Sequence, residues 1–421
     1  MSFGLNSVES IREYIKRYRV LVDNFGYLSL LQLCNLVIPL ITYPYLVHVL
    51  GEETYGTVVY AQAIVAYLAI FVNWGFNISA TKSISIHRDN PAKVDRIFSS
   101  VYIAKTFFLL LVFGVLWLMF LIPNIGRYKL LYLLSMWMCI YEWLFPVWFF
   151  QGVERMKYIA IFSFVGRLIF IAFIFFLVKT TDDYLWVPVI NGVGAIITSL
   201  AAIYIVVHKF SVSFRWPSWR ALFFYTKEST KLLMTSITGI VKDRTNTIII
   251  GSVLGMSEVT YYDFVDKIVN ILSTLFYTIG NVLFPYYNRN KNQVFIRKLL
   301  FITSGIGVLI YFGVGAFLKP FILLFFSADM VAAIPIYWIM GPLFLARHVS
   351  YYLGTVVLIS HNHVKEVIVN MFYSMLVYLV AVALFWSSDC LNIYTLALSL
   401  VVSVVFEAWQ RAVYCRKFYL L

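Results

Sequence analysis

The sequence predicts an all-α protein that crosses a membrane many times, and three observations carry that reading. Of 421 residues, 62% are hydrophobic and only 13% charged, about half the charged share usual for soluble domains. The apolar residues come in continuous runs, many near or above the ~20 residues a helix needs to cross ~30 Å of hydrocarbon. A membrane β-barrel would instead alternate apolar and polar positions over segments of ~10 residues.

The runs place about 12 transmembrane helices, at residues 24–48, 55–80, 98–122, 129–150, 158–178, 185–207, 229–252, 259–284, 299–325, 333–357, 364–386 and 392–414. Ahead of them, residues 1–22 are polar and mixed in charge, unlike a cleavable leader. Ile11, Tyr14, Ile15 and Tyr18 recur there at helical spacing beside Arg12, Lys16 and Arg19, which predicts a short interfacial helix on the cytoplasmic side. Lysine and arginine collect in alternate connections, for example Lys82, Arg88, Lys93 and Arg96, while the opposite set carries Glu52, Glu53, Asp182 and Asp183. The positive-inside bias therefore puts both termini in the cytoplasm. The longest connection, 208–228, is basic and holds Trp216, Pro217 and Trp219. It separates two six-helix bundles, 23–207 and 229–421, with equal span counts and the same orientation, as expected for paired bundles around a central cavity.

The formal charge of +13 does not point to nucleic acid, because the basic residues sit in short connections and not on a soluble domain. Cys34, Cys139, Cys390 and Cys415 are widely spaced and lack CxxC pairs, so neither a disulfide framework nor a zinc site is expected. His361 and His363, two apart on a turn, read as an ordinary solvated loop and not as a ligand pair. No metal and no cofactor is expected.

The seventh span, "LLMTSITGIVKDRTNTIIIGSVLG" over residues 232–255, holds Lys242, Asp243 and Arg244 at its middle. Each central charge costs about 2.5–3.5 kcal/mol on the insertion scale, against about 0.3–0.6 returned per large aliphatic residue. Such a helix must hide its charges against protein or water. At 100° per residue, Lys231, Thr235, Thr238, Gly239, Lys242 and Asn246 form one stripe, with Asp243 at its margin. Arg244 points nearly opposite and is assigned to a helix–helix ion pair. In the eighth span Asp263, Asp266, Lys267, Asn270, Thr274, Tyr277, Thr278 and Asn281 share a face, with Asp263 and Lys267 at pairing distance. Two adjacent polar stripes predict a water-filled passage. Glu407 and Arg411, four apart in the twelfth span, read as a structural pair. Lys105, Arg167 and Arg347 have no acidic partner nearby in sequence; they either line the cavity or, for the first two, snorkel to the interface. The surplus of basic residues points to an anionic cargo.

Residues 35–85, "NLVIPLITYPYLVHVLGEETYGTVVYAQAIVAYLAIFVNWGFNISATKSIS", resemble the opening spans of bacterial polysaccharide repeat-unit flippases of the O-antigen type, within the multidrug/oligosaccharidyl-lipid/polysaccharide exporter superfamily. "FPVWFFQGVERMKYI" at 145–159 is the most specific match, and "TNTIIIGSVLGMSEVTYYDFVDKIV" with "NVLFPYYNR" matches the start of that family's second half. The resemblance implies a bacterial inner-membrane secondary transporter, not an enzyme, whose two bundles open alternately. It would move an undecaprenyl-pyrophosphate-linked oligosaccharide from the cytoplasmic to the periplasmic leaflet, driven by an ion gradient. Membrane lipids, and a polysaccharide polymerase and chain-length regulator, are the further partners implied. The absence of a GxxxxGK[ST] loop agrees with a transporter that is not ATP-driven.

On that reading Lys231, Lys242, Lys267 and Arg347 attract pyrophosphate and acidic sugars, while Asn246, Asn270 and Tyr277 meet hydroxyls and sugar faces. Asp243 or Asp266 exchanges the coupling ion, H+ or Na+, although each carboxylate could equally neutralise a lysine. One rival is a cation or drug antiporter of the same superfamily, which should prefer an acidic cavity. The other is a membrane glycosyltransferase or polymerase, for which the short outer loops leave little room.

Overall fold

The computed structural model of the protein describes residues 26, 27, 32 and 38–420. The interfacial helix expected over 1–22, Cys34 and most of the first half of the first span lie outside them. The elements run in order α1 (Ile38–Leu50), α2 (Glu52–Asn73), α3 (Phe76–His87), α4 (Pro91–Met119), α5 (Pro123–Gly126), α6 (Lys129–Ser135), α7 (Trp137–Leu144), α8 (Val147–Gly152) and α9 (Met156–Leu177). They continue with α10 (Trp186–Lys209), α11 (Trp219–Val253), α12 (Met256–Asn290), α13 (Gln293–Phe325), α14 (Ala333–Met340), α15 (Pro342–Tyr351), a π-helical stretch (Tyr352–Leu358), α16 (Val364–Ser387) and α17 (Ile393–Lys417). No strand occurs among the described residues. The protein is an all-α polytopic membrane protein.

Local chemistry sets where many of these helices begin. Asn90 accepts from Lys93 N–H ahead of Pro91, Asn292 accepts from Phe295 N–H, and Asn392 forms a reciprocal capping box with Thr395. Each cap satisfies N–H groups that the first turn leaves without partners. Nine passages are long and apolar enough to cross a bilayer among the described residues. α11 and α12, 35 residues each, are long enough but too polar to join them. They and α1, which is shorter than a crossing in its described part, lie at the three remaining spans the hydropathy predicts. Only 17% of the apolar windows of α9 and α13 is buried, against 78% for Glu52–His87; the first two stay apolar on their uncovered faces, as contact with lipid demands.

Packing divides the chain into two units. One takes Val65–Val178 and Leu185–Met234 with the residues up to Thr42; the other takes Tyr43–Ile64, Lys179–Tyr184 and Thr235–Leu421. In the first unit, Trp74 and Gly75 both adopt positive φ (49° and 81°) and break the second passage into α2 and α3. A Cβ on Gly75 would lie 2.7 Å from the Ser229 carbonyl, so the position needs glycine for its backbone and for the close approach of α11. The "FPVWFFQG" run lies at a second break. α7 ends at Leu144, Phe145 is extended ahead of Pro146, and α8 carries Trp148, Phe149 and Phe150 fully into the core. Gly152 closes α8 against α3, where a Cβ would stand 2.6 Å from Ile84 Cγ2. Val153 to Arg155 then turn the chain, with exposed Glu154 paired to Arg88 at 3.1 Å.

In the second unit α2 crosses α12 at Gly56, where a Cβ would collide with the Met256 carbonyl and crowd Thr260 Oγ1 at 2.9 Å. Thr260 Oγ1 donates to the Glu52 carbonyl at 2.6 Å, and Tyr43 OH donates to the Thr260 carbonyl at 3.0 Å. Gly56→Val should therefore force these helices apart at a cost of about 1–3 kcal/mol, read as a lower melting temperature of the detergent-purified protein. Wild-type melting would show that the crossing tolerates a side chain.

Candidate functional site

Successive residues leave a helix 100° apart, so Lys242, Asp243 and Arg244 of α11 meet three environments. Lys242 is buried. Its Nζ donates to Glu407 Oε2 at 2.6 Å and to Ser374 Oγ at 3.2 Å. The other Glu407 oxygen accepts from Arg411 Nη2 and from Ser350 Oγ, both at 2.8 Å. Arg411 also donates from Nε to Asn370 Oδ1 and from Nη1 to the Ser350 carbonyl, both at 2.7 Å. One carboxylate thus joins two cations, and α11, α15, α16 and α17 meet around it. The π-helical stretch makes room: a Cβ on Gly354 would overlap the Arg411 guanidinium.

Asp243 is exposed and meets Arg347 of α15, whose Nη2 lies 3.5 Å from its Oδ1. Arg347 Nη1 donates to Asn270 Oδ1 at 2.6 Å, and Asn270 Nδ2 donates to Asp266 Oδ2 at 2.9 Å. This polar row links α11, α15 and α12, and exposed Asn270 and Asp243 leave it open to solvent. Tyr277 stands further along α12 with its ring 4.8 Å from that of Tyr351. Lys267 pairs with Asp263 on the same helix and lies over the rings of Tyr43 and Tyr55, at 4.7 and 5.8 Å.

Several expectations change with these placements. Lys242 does not front a passage: it completes the Glu407–Arg411 pair, because the α11 stripe faces α16 and α17 at that level. Asn246 is fully buried, donating to Tyr262 OH and the Leu396 carbonyl, both at 2.9 Å, and accepting from Tyr378 OH at 2.6 Å; its burial keeps the amide from meeting a sugar. Arg244 forms no helix–helix ion pair among the described residues; the nearby carboxylate of Asp243 is taken by Arg347. Lys231 is exposed on α11. In the first unit Lys105 neither lines an opening nor snorkels, for it is fully buried and donates to the Glu142 carbonyl at 2.7 Å. The Glu142 carboxylate accepts from Asn73 Nδ2 at 2.8 Å. His348 is buried with Nε2 2.8 Å from Thr303 Oγ1, and no cluster able to hold a metal occurs among the described residues.

A family model described as "Polysaccharide biosynthesis protein" matches residues 21–291, more than half of the chain. The chain belongs to the polysaccharide biosynthesis protein family. A relative from Escherichia coli (strain K12) named "Putative O-antigen transporter" is 30% identical over 366 residues, which cover 82% of this chain and 84% of the relative. A protein of the same name from Shigella dysenteriae is 27% identical over 283 residues, 66% of this chain and 69% of that one. Among solved structures, the lipid II flippase MurJ in an inward closed conformation matches with a TM-score of 0.71 at 10% identity, over 95% of this chain and 87% of that one. An inward-facing multidrug resistance MATE family transporter of the MOP superfamily matches at 0.65 and 11% identity, over 90% and 94%. At such identities the likeness is one of fold.

In this family member the partners that complete the charge network, Ser350, Gly354, Asn370 and Ser374, escape a reading of α11 and α12 alone. Asn370 carries a usable signal, a lone amide in the apolar run of α16; Gly354 carries none, since glycine is common in membrane helices. Glu407→Gln should leave two buried cations without a counter-charge and cost about 3–5 kcal/mol, seen as reduced folded yield and a lower melting temperature. An unchanged melting curve would mean that water already neutralises the cluster.

Proposed function

We propose that this protein is a flippase that carries an undecaprenyl-pyrophosphate-linked oligosaccharide repeat unit from the cytoplasmic to the periplasmic leaflet of a bacterial inner membrane. Family membership and the O-antigen transporter names of its relatives support the cargo class. The shared fold supports movement by alternating access of two helical bundles.

The observation that carries the reading at residue level is the loose pairing of Arg347. Its one carboxylate contact among the described residues is long, 3.5 Å, and made to an exposed aspartate. A phosphate can take the place of Asp243 without stranding a buried charge, and a planar guanidinium suits two phosphate oxygens. Lys242 cannot be used this way, because withdrawing it would remove one of the two cations that neutralise buried Glu407. Displaced from Arg347, Asp243 becomes free to take a proton or sodium ion, with Asp266 beside Asn270 as the second candidate. Cargo binding and ion binding would then be linked through one guanidinium. Asn270 and Tyr277 supply amide and ring contacts for the sugar, and exposed Lys231 offers a further positive charge. A polysaccharide polymerase and chain-length regulator are the partners such an export step would serve.

In a deletion strain, Arg347→Ala should cut export of the lipid-linked saccharide by about ten-fold or more, the loss of one charge-assisted contact. Folded protein should stay at wild-type level and Arg347→Lys should restore part of the activity. Full export by Arg347→Ala would remove Arg347 from the mechanism, and no accumulation of lipid-linked saccharide in the deletion strain would remove the flippase reading itself. Asp243→Asn should leave cargo binding intact but make export indifferent to the proton or sodium gradient, measured by uptake in vesicles with imposed gradients; retained gradient dependence would move the coupling to another group.

A further inference from the structure

The connection between α10 and α11 has no part in the transport reading, yet it is held in place. Phe210 packs edge-on against Phe149 at 5.4 Å and Tyr158 at 6.0 Å, rooting the segment in the aromatic cluster of α8. The backbone N–H of Ser213 donates to Asp95 Oδ1 and that of Arg215 to Ser99 Oγ, both at 2.9 Å. Arg215 Nε lies 3.2 Å from Asp95 Oδ2. Asp95 and Ser99 are buried on α4, so the strap is clamped from beneath by buried polar groups.

What the clamped strap turns outward is aromatic and basic. Trp216 and Trp219 are 80% and 84% exposed, and Phe214 and Phe223 56% and 70%. Two indoles and two phenyl rings presented together mark an interaction surface. Arg220 and Lys209 are exposed beside them. Lys157 from α9 and Lys209 from α10 both stand over the ring of Tyr158, at 5.2 and 5.7 Å. Neither lysine, nor Arg220, has an ion pair among the described residues.

We infer that the strap, residues 210–218, together with the first turn of α11 that carries Trp219, Arg220 and Phe223, docks into the anionic phospholipid headgroup layer of the leaflet it borders. Two features select lipid over a protein partner. The strap leaves the end of the apolar passage α10, which places it at headgroup depth. Its side chains are also the pair of types that this layer sorts, amphipathic indoles toward the acyl boundary and guanidinium or ammonium groups toward lipid phosphate. The clamp at Asp95 and Ser99 holds the indoles at fixed height, so lipid contact is built into the fold and does not require ordering a loose loop.

The test uses the full-length protein in nanodiscs with or without phosphatidylglycerol and with or without brominated acyl chains. The emission of Trp216 and Trp219 is obtained by subtracting that of the Trp216→Phe/Trp219→Phe variant. Brominated lipid should quench this difference signal by about two-fold or more while the discs shield it from acrylamide. A Lys157→Gln/Lys209→Gln/Arg220→Gln variant, which leaves every contact of the clamp in place, should lose the preference for phosphatidylglycerol. If acrylamide quenches the difference signal as it would free tryptophan and brominated lipid leaves it unchanged, the strap faces water or a protein and the inference fails. It fails equally if the triple variant keeps the lipid preference.

Discussion

The second unit is organised around one carboxylate. Glu407 lies between Lys242 and Arg411, and each of these ions would cost several kcal/mol to bury alone. Together, with the remaining donors and acceptors supplied by Ser350, Asn370 and Ser374, they become a polar knot through which four helical segments are joined. The knot dictates local structure as well. Arg411 needs the space that a side chain at Gly354 would fill, and the backbone there runs as a π-helix between α15 and a 3-10 turn at Ile359–His361. It also accounts for a membrane-spanning segment that carries Lys-Asp-Arg at its centre: the first member is neutralised by α17, the second by α15.

The charges of α11 and α12 accordingly fall into two classes with different uses. Lys242 and Asn246 are enclosed and hydrogen-bonded to neighbouring helices, so disturbing them removes stability. Asp243, Asp266, Asn270 and Arg347 form a row open to solvent at Asp243 and Asn270, and in the transport proposal its contacts are the ones exchanged for a ligand or ion. A transporter needs both. Rigid polar ties keep a bundle intact as it reorients, while replaceable ones let cargo and ion change the relative energy of its states. Lys267 stands between the classes, paired to Asp263 yet covered by two tyrosine rings that favour a cation.

The first unit uses aromatic packing where the second uses ions. Phe145, Trp148, Phe149 and Phe150 enter one core with Phe98 and Tyr158, and the short α8 that carries them exists because the chain breaks at Phe145–Pro146. Buried charge is present as well, in Lys105 and Glu142, but Lys105 is satisfied by a backbone carbonyl and not by a carboxylate. The motif that marks the family in sequence is thus a packing device that sets α8 against α3. The same cluster roots the strap that follows α10, so the signature run supports a surface as well as a core.

The sequence by itself determined that the chain is helical and where most of its passages lie, because hydrocarbon thickness and backbone hydrogen bonding leave a continuous apolar run almost no other structure. It also determined the Glu407–Arg411 and Asp263–Lys267 pairs, each a four-residue neighbour relation that any helix enforces. Composition likewise showed that the charges of the seventh span must be sheltered. Only the tertiary structure decided which shelter each one receives. Lys242 meets Glu407 across 165 residues and Arg347 meets Asp243 across 104, and a helical wheel knows the direction a side chain leaves its own helix but not which neighbour, or whether water, stands there. That is why Lys242 and Asn246 look like passage-lining groups in sequence and prove to be ties between helices.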